Sequence, residues 1–198
     1  MSFVQSAPPA RPYTVLAVCT GNICRSPAVE RLLDAELRAD SGADADVRVV
    51  SAGVNAVVGA PMPAEMARLV HDAGADPEHF AARQLTEDML READLVLALT
   101  AAHRARIVRL HPPAVRRTFT VRELARLAGV VDLADLPTGT ASQRLAALLP
   151  LAASQRGRFH GVRDDDVVDP YGGNGDLYRR AFDELQPAVA AIAHMVRG

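Results

Sequence analysis

Short apolar runs alternate along this chain with segments whose apolar residues recur every three or four positions. The runs lie at 13–18 (YTVLAV), 47–51 (VRVVS), 94–99 (DLVLAL) and, less strongly, 117–121 (RTFTV). Nearly continuous apolar composition over so few residues is typical of strands buried on both faces of a parallel sheet. These four segments are therefore predicted to be strands.

The intervening segments have the period of amphipathic helices. Helices are predicted over 26–39, 63–73, 86–92, 101–110 and 176–196, and we expect Pro187 to kink or divide the last one. Alternating strands and helices indicate an α/β fold with a parallel sheet, in which ligands bind at the carboxyl ends of the strands.

The region 122–161 is less regular, with helical patches at 123–127 and 142–153 among Gly, Pro and Asp residues. We interpret it as a longer insert, which either shapes the rim of the cleft or a partner surface, or elaborates the surface without a function. It lies inside a single predicted domain, 13–198, which follows a flexible N-terminal tail, 1–12.

Composition narrows the classes of function. The net charge is −2 and every basic residue is Arg, so nothing favours binding to nucleic acid or to a membrane. Two cysteines are too few for a secreted disulfide framework, and the N-terminus does not read as a signal peptide. Both observations indicate a cytoplasmic protein. The six His residues show no ligand spacing, so we expect no metal, and we expect no other cofactor.

The strongest chemical signal lies between the first strand and the first helix, in the sequence CTGNICRS from Cys19 to Ser26. A loop in this place can turn its N–H groups toward a tetrahedral oxyanion, which the positive end of the helix also attracts. Gly21 and Asn22 tolerate the left-handed backbone that such a turn needs. Arg25 can bind two phosphate oxygens, and these charges favour a nucleophilic thiolate at Cys19. The remaining loop residues predicted to bind phosphate are Thr20, Ile23, Cys24 and Ser26.

With CTGNICRSP, the chain resembles the low-molecular-weight protein tyrosine phosphatases of bacteria. Further similar segments are 51–53 (SAG), 82–85 (ARQL), 100–104 (TAAHR) and 169–171 (DPY), so that the resemblance covers roughly 13–110 and 164–197. It implies a small four-stranded parallel sheet flanked by helices, with the phosphate-binding loop between the first strand and the first helix.

The resemblance also implies roles for residues outside the loop. Asp169 matches the general acid and base of the family, Ser51 the serine that supports the loop, and Tyr171 an aromatic residue at the substrate rim. We interpret the neighbouring residues 164–166 (DDD) as solvated surface. Cys24 either forms a reversible disulfide with Cys19 or is simply a packed loop residue.

The expected enzyme is thus a phosphatase that hydrolyses phosphotyrosine in a protein, or a small aryl phosphate, through a cysteinyl-phosphate. Protein-arginine phosphatases are similar but carry Thr in place of Ile23, whose bulk favours an oxygen ester. However, the sequence Asp169-Pro170-Tyr171-Gly172-Gly173 resembles the loop of those arginine-specific enzymes. In addition, the segment 54–58 (VNAVV) lacks the Trp or Tyr that stacks on the substrate ring in the tyrosine-specific family. An arsenate reductase, which needs additional cysteines, and a catalytically dead phosphoprotein-binding module are weaker alternatives.

Overall fold

The computed structural model describes residues 11–41, 46–159, 161 and 165–197. Most of the predicted tail therefore lies outside the described residues. Its last part includes Arg11, whose guanidinium group forms an ion pair with Asp94 at 2.7 Å.

A four-stranded parallel sheet forms the centre of the fold, and its strands follow the order β2-β1-β3-β4. Their bounds are β1 Tyr13–Cys19, β2 Val47–Gly53, β3 Leu95–Ala98 and β4 Thr118–Thr120. In the register of the two longest strands, Cys19 lies opposite Gly53, so both carboxyl ends reach the same edge of the sheet. The predicted fold class, including the number of strands, is confirmed.

Within the described residues, seven α-helices surround the sheet: α1 Arg25–Ser41, α2 Ala64–Asp72, α3 Glu87–Glu92, α4 Ala101–Leu110, α5 Val121–Ala128, α6 Ala141–Ser154 and α7 Gly175–Arg197. Short 3-10 turns cover Pro112–Arg117, Leu133–Asp135 and Gln155–Phe159. Threonine hydroxyls cap several helices, and those of Thr120 and Thr140 form complete capping boxes at α5 and α6. The irregular region of the sequence thus contains two well-delimited helices.

Side chains of alternate residues in β1 point to opposite faces of the sheet. Val15, Ala17 and Cys19 belong to the larger apolar cluster, which α1, α2, α5, α6 and α7 complete. Leu16 and Val18 belong to the smaller cluster, which includes residues of α3 and α4. Because both faces are covered, the strands need apolar residues at nearly every position, as their sequences have.

The helix α7 continues through Pro187, so the expectation that this proline would divide it is wrong. Proline removes one N–H donor from the helix and leaves the carbonyl of Asp183 without its usual partner. Both residues lie on the exposed side of α7, where water can satisfy that carbonyl.

The region 122–161, which we interpret as an insert, packs against the rest of the protein through a buried arginine. Arg144 of α6 donates from Nε and Nη2 to the carbonyl of Met195 at 3.2 and 3.0 Å, and from Nη1 to that of Pro137 at 2.9 Å. These bonds place a positive charge at the C-terminal end of α7, where the helix dipole favours it. Among the described residues, no helix is long and apolar enough to cross a membrane.

Candidate active site

The loop that leaves β1 is bound along its carbonyl groups by the segment that follows β2. The carbonyls of Cys19, Thr20 and Gly21 accept hydrogen bonds from the N–H groups of Val54, Asn55 and Val57 at 2.9–3.0 Å. This close approach requires a glycine at the end of β2, because a Cβ atom on Gly53 would lie 2.5 Å from the carbonyl oxygen of Thr20. The segment 51–53 (SAG) therefore helps to determine the conformation of the loop, because its glycine allows the two backbones to approach closely.

Asn22 supports the loop from inside. It has φ of 53°, whereas Gly21 is not in the left-handed region, so only one of the two residues predicted to adopt that backbone does so. The side chain is fully buried; its Nδ2 donates to Ser26 Oγ at 3.0 Å and to Ser51 Oγ at 2.8 Å. Its Oδ1 accepts from the N–H of Arg83 at 2.8 Å. Every polar group of this side chain thus has a partner, which fixes the turn.

The Cys19 thiol is at one end of a hydrogen-bond network that continues through Ser26 and Asn22 to Ser51. Its Sγ is 3.0 Å from the hydroxyl of Ser26, and both side chains are buried. At the other end, Ser51 Oγ donates to Glu30 Oε2 at 2.5 Å, and the same carboxylate forms an ion pair with Arg83 at 3.4 Å.

Sequence reasoning missed Glu30, although a signal for it was present. Glu30 lies one helical turn after Ser26, at a position that the apolar pattern of α1 places on the buried side. A carboxylate is rarely buried unless it is paired, so its position alone could have indicated a structural partner such as Ser51 or Arg83.

Arg25 is also buried, and its guanidinium group contacts the segment that precedes α7. Nη1 donates to the carbonyl of Val167 at 3.0 Å, and Nη2 donates to Asp169 Oδ2 at 2.5 Å. The Asp169 carboxylate is about half exposed, at 52 %. Two residues that are 144 positions apart in the sequence are therefore adjacent at the carboxyl end of the sheet.

His103 is a second residue that sequence reasoning did not assign to the site. Its Nε2 lies 2.9 Å from Thr20 Oγ1, and its Nδ1 lies 2.9 Å from Thr100 Oγ1. Burial, reinforced by the nearby positive charge of Arg25, lowers the pKa of His103 to about 4. The imidazole is therefore neutral at physiological pH. Through its two ring nitrogens it connects Thr20 of the loop with Thr100, the residue that caps α4.

These residues surround a cavity of about 280 Å³. Of the residues predicted from the sequence, Cys19, Thr20, Gly21, Ile23, Cys24, Arg25, Asp169 and Tyr171 line it. Asn22, Ser26 and Ser51 lie behind the loop, fully buried. Asn55 and Val57, from the segment without an aromatic residue, complete the wall.

Although Cys24 lines the cavity, its thiol packs against α7. Its Sγ lies 3.9 Å from the hydroxyl of Tyr178 in α7, and burial raises the pKa of the thiol to about 11. Both cysteines are free thiols. The contact with Tyr178 fits the interpretation of Cys24 as a packed loop residue; the alternative disulfide stays a hypothesis.

The loop after Asp169 makes a tight turn. The N–H of Gly173 donates to the carbonyl of Pro170 at 2.9 Å, and Gly172 has φ of 74°. Glycine adopts this left-handed backbone without strain, whereas an aromatic residue would be strained there. Tyr171, at the apex, is 69 % exposed beside the cavity.

The interpretation of the acidic run before this loop as solvated surface is wrong for Asp165, which is largely shielded, whereas Asp166 is exposed, as expected, although its carboxylate has a partner. Asp165 forms an ion pair with Arg126 at 2.5 Å, and Asp166 Oδ1 accepts from the N–H of Ala101 at 2.6 Å. Asp164 lies outside the described residues. In the part of the chain that the structure describes, no group of three or more His, Cys, Asp or Glu side chains could hold a metal ion.

The structure thus brings together a cysteine in a Cys-x5-Arg loop, between a parallel strand and a helix, and an aspartate, which is the arrangement predicted for a cysteine-dependent phosphatase. The family model of the low molecular weight phosphotyrosine protein phosphatases matches residues 14–148. The chain belongs to that family and is an enzyme, a hydrolase, as expected from its sequence.

Several relatives align with nearly the whole chain, among them a tyrosine phosphatase and an arginine phosphatase. The low molecular weight protein-tyrosine-phosphatase of Streptomyces coelicolor is 33% identical over 193 residues, covering 94% of this chain and 97% of that protein. The protein-arginine-phosphatase of Geobacillus stearothermophilus is 29% identical over 186 residues, covering 94% and 97%. The solved structure of the YwlE arginine phosphatase from the latter organism superposes with a TM-score of 0.66 at 28% identity, covering 94% of both chains.

Proposed function

We propose that this enzyme hydrolyses phosphotyrosine in proteins, or small aryl phosphomonoesters, through a cysteinyl-phosphate on Cys19. The observation that carries the proposal is the grouping of Cys19, Arg25 and Asp169 around one cavity of about 280 Å³. The Ser26 hydroxyl, 3.0 Å from the sulfur, stabilises a thiolate by donating to it.

In the first step, the Cys19 thiolate attacks phosphorus and the bond from phosphorus to the aryl oxygen breaks. Asp169 supplies the proton for the departing oxygen, a contribution typically worth about 10²–10⁴-fold. Arg25 binds two phosphoryl oxygens, and the loop N–H groups bind the charge that develops on them. The carbonyl side of the loop is already occupied by Val54, Asn55 and Val57, which leaves those N–H groups as donors.

In the second step, Asp169, now a carboxylate, accepts a proton from water as the water oxygen attacks phosphorus. The bond between sulfur and phosphorus breaks, inorganic phosphate forms, and Cys19 leaves as a thiolate. The hydrogen bond from Ser26 Oγ makes the sulfur a better leaving group. The contact between Arg25 Nη2 and Asp169 Oδ2 at 2.5 Å supports these roles, because the proposed acid is adjacent to the proposed phosphate-binding group.

Ile23 supports an oxygen ester as the substrate. It is 8% exposed and forms part of the cavity wall. An apolar side chain at this place cannot accept hydrogen bonds from a guanidinium group, whose N–H donors would lose their water partners on binding.

Phosphoarginine is the second candidate, favoured by the turn at Gly172 and by the arginine-phosphatase relatives. With Gly172 in place of a second aromatic residue, Tyr171 is the only exposed ring among the residues that line the cavity. A single ring provides less stacking for an aryl substrate, since an aromatic pair contributes about 0.5–1.5 kcal/mol beyond area burial.

A comparison of substrates tests the proposal. Wild type and Cys19→Ala should be assayed with p-nitrophenyl phosphate, a phosphotyrosine peptide and the matching phosphoarginine peptide. We expect turnover of the two oxygen esters by wild type, and none by the variant. Higher kcat/KM for phosphoarginine would reverse the substrate assignment, and failure to turn over any of the three would refute the proposed function.

Ile23→Thr provides a matched variant for specificity. It should raise the ratio of phosphoarginine to phosphotyrosine turnover, because the threonine hydroxyl can accept a hydrogen bond from a guanidinium N–H. Action in the cytoplasm remains part of the proposal, and two free thiols fit a reducing compartment.

A further inference from the structure

Every residue of the segment from Asp165 to Asp169 forms a hydrogen bond or an ion pair with another element of the fold. The N–H of Val167 donates to the carbonyl of Leu99 at 2.9 Å, and its own carbonyl accepts from Arg25 at 3.0 Å. The N–H of Val168 donates to Glu184 Oε2 at 2.9 Å. Because of these contacts, the segment runs past the end of β3 and reaches the cavity at Asp169.

At the start of the segment, Asp165 is held by the insert. Both oxygens of its carboxylate contact Arg126 of α5, Oδ2 at 2.5 Å from Nη2 and Oδ1 at 3.3 Å from Nε. The guanidinium group lies over the ring of Phe159, with its carbon 4.7 Å from the ring centroid. Both charged side chains are largely shielded, at 20% and 24% exposure, so the pair is stronger than an ordinary surface salt bridge.

The next residue is fixed by a different partner. Asp166 Oδ1 accepts from the N–H of Ala101, the first residue of the ten-residue helix α4, whose dipole attracts the carboxylate. Arg122 of α5 donates to the carbonyl of the same Asp166 at 2.9 Å. Two consecutive acidic residues are therefore bound to two different helices, α4 and α5.

This arrangement bears on Asp169, whose carboxylate is half exposed and has few contacts of its own. Among the described residues, its partners are Arg25 and the N–H of Tyr171, which donates to Oδ1 at 3.2 Å. A group that transfers a proton has to be placed within about 0.5 Å of its working position. The backbone on its N-terminal side must supply that precision.

We propose that Asp165 and Arg126, together with Asp166 on the N-terminus of α4, are positioning residues for Asp169. We call these three residues the acid-loop clasp. The inference rests on the proposed function, because it assumes Asp169 to be the general acid. It gives the insert a role in catalysis: α5 holds one end of the acid-bearing segment, while α1 holds the other through Arg25.

The test uses the dependence of turnover on the leaving group. In Asp165→Asn, kcat/KM for phenyl phosphate, a poor leaving group, should fall about 10-fold, part of the full effect of general acid catalysis. The value for p-nitrophenyl phosphate should fall less than about 3-fold, since that leaving group needs little protonation. Arg126→Gln should behave in the same way, and Asp165→Glu should restore part of the loss.

Two further enzymes separate positioning from a general loss of structure. In an Asp169→Ala background, Asp165→Asn should change kcat/KM for phenyl phosphate by less than about 2-fold, because the group that it positions is absent. Asp183→Asn is the matched control. Within the described ranges, the exposed carboxylate of this α7 residue has no hydrogen bond or ion pair, so the substitution should leave the turnover of both substrates unaffected.

The outcomes are distinct. Equal loss for both substrates, a full additional loss in the Asp169→Ala background, or the same effect from Asp183→Asn would overturn the clasp. If Asp165→Asn does not fold, Arg126→Gln and Asp165→Glu carry the same comparison. Inactive wild type would refute the proposed function, and the clasp with it, whereas active wild type with an unchanged ratio in the variants would refute the clasp alone.

Discussion

Gly53→Ala tests whether the close contact between β2 and the phosphate-binding loop is necessary. A Cβ atom at this position would lie 2.5 Å from the carbonyl oxygen of Thr20, 3.0 Å from the N of Asn22 and 3.1 Å from the Cα of Ala56. All three neighbours are backbone atoms, so no flexible side chain can move aside. The loop itself has to shift.

The size of the shift follows from those distances. Carbon and oxygen need a separation of about 3.2–3.5 Å, so the Thr20 peptide must move by roughly 0.5–1 Å. Forcing an extra carbon into a packed site typically costs about 1–3 kcal/mol of stability. A displacement of about 1 Å at a reacting group can lower the rate about 100-fold.

Two measurements check this expectation. Urea denaturation should show a lower midpoint with an unchanged slope, and kcat/KM for p-nitrophenyl phosphate should fall about 30- to 100-fold. Gly129→Ala is the control, because its added Cβ would lie 3.5 Å from the nearest atom and its φ is −63°. That change should be neutral or stabilising by up to about 1 kcal/mol. Wild-type stability and activity in Gly53→Ala would refute the reasoning.

Three further substitutions test other parts of the account. Folding lowers the pKa of His103 from 6.5 to about 4. Between these two values the imidazole is protonated only in the unfolded chain, so the free energy of unfolding decreases as the pH is lowered. Wild type should lose about 2 kcal/mol more than His103→Gln between pH 7 and 5, and equal losses in urea titrations would contradict the buried neutral imidazole. Arg144→Met should cost about 2 kcal/mol because it removes the bonds to Met195, with the urea midpoint as the measurement and an unchanged midpoint as the contrary result. Ser51→Ala removes a partner of buried Asn22 and should cost about 1–3 kcal/mol in the same assay; wild-type stability would show that the network is dispensable.

The parts of the site that were predictable from local sequence alone, without the family resemblance that indicated Ser51, Asp169 and Tyr171, are contiguous along the chain. A buried strand and a turn with Asn22 lead within thirteen residues to Arg25, the first residue of a helix, so local propensity and chemistry agree there. Strand and helix positions were also predictable, since alternating apolar periods directly reflect which faces are buried.

The residues that were missed depend on contacts between distant parts of the chain. His103 reaches Thr20 across 83 positions, and Arg126 reaches Asp165 across 39, neither of which leaves a local pattern. Asp165 and Asp166 look like surface charge in the sequence because their partners come from other elements. By contrast, the start of α5 had a local signal, the capping box formed by Thr120 and Glu123, within a region that we had described only as helical patches.

The central claim is that Cys19 forms a covalent bond to phosphorus during turnover. Acid quenching of Asp169→Ala during hydrolysis of p-nitrophenyl phosphate, followed by peptide mass spectrometry, tests it directly, because loss of the general base should make the intermediate accumulate. We expect one phosphoryl group on the peptide that contains Cys19, absent after prolonged incubation without substrate and absent from Cys19→Ala. A phosphoryl group on another residue, or continued turnover by Cys19→Ala, would contradict the account.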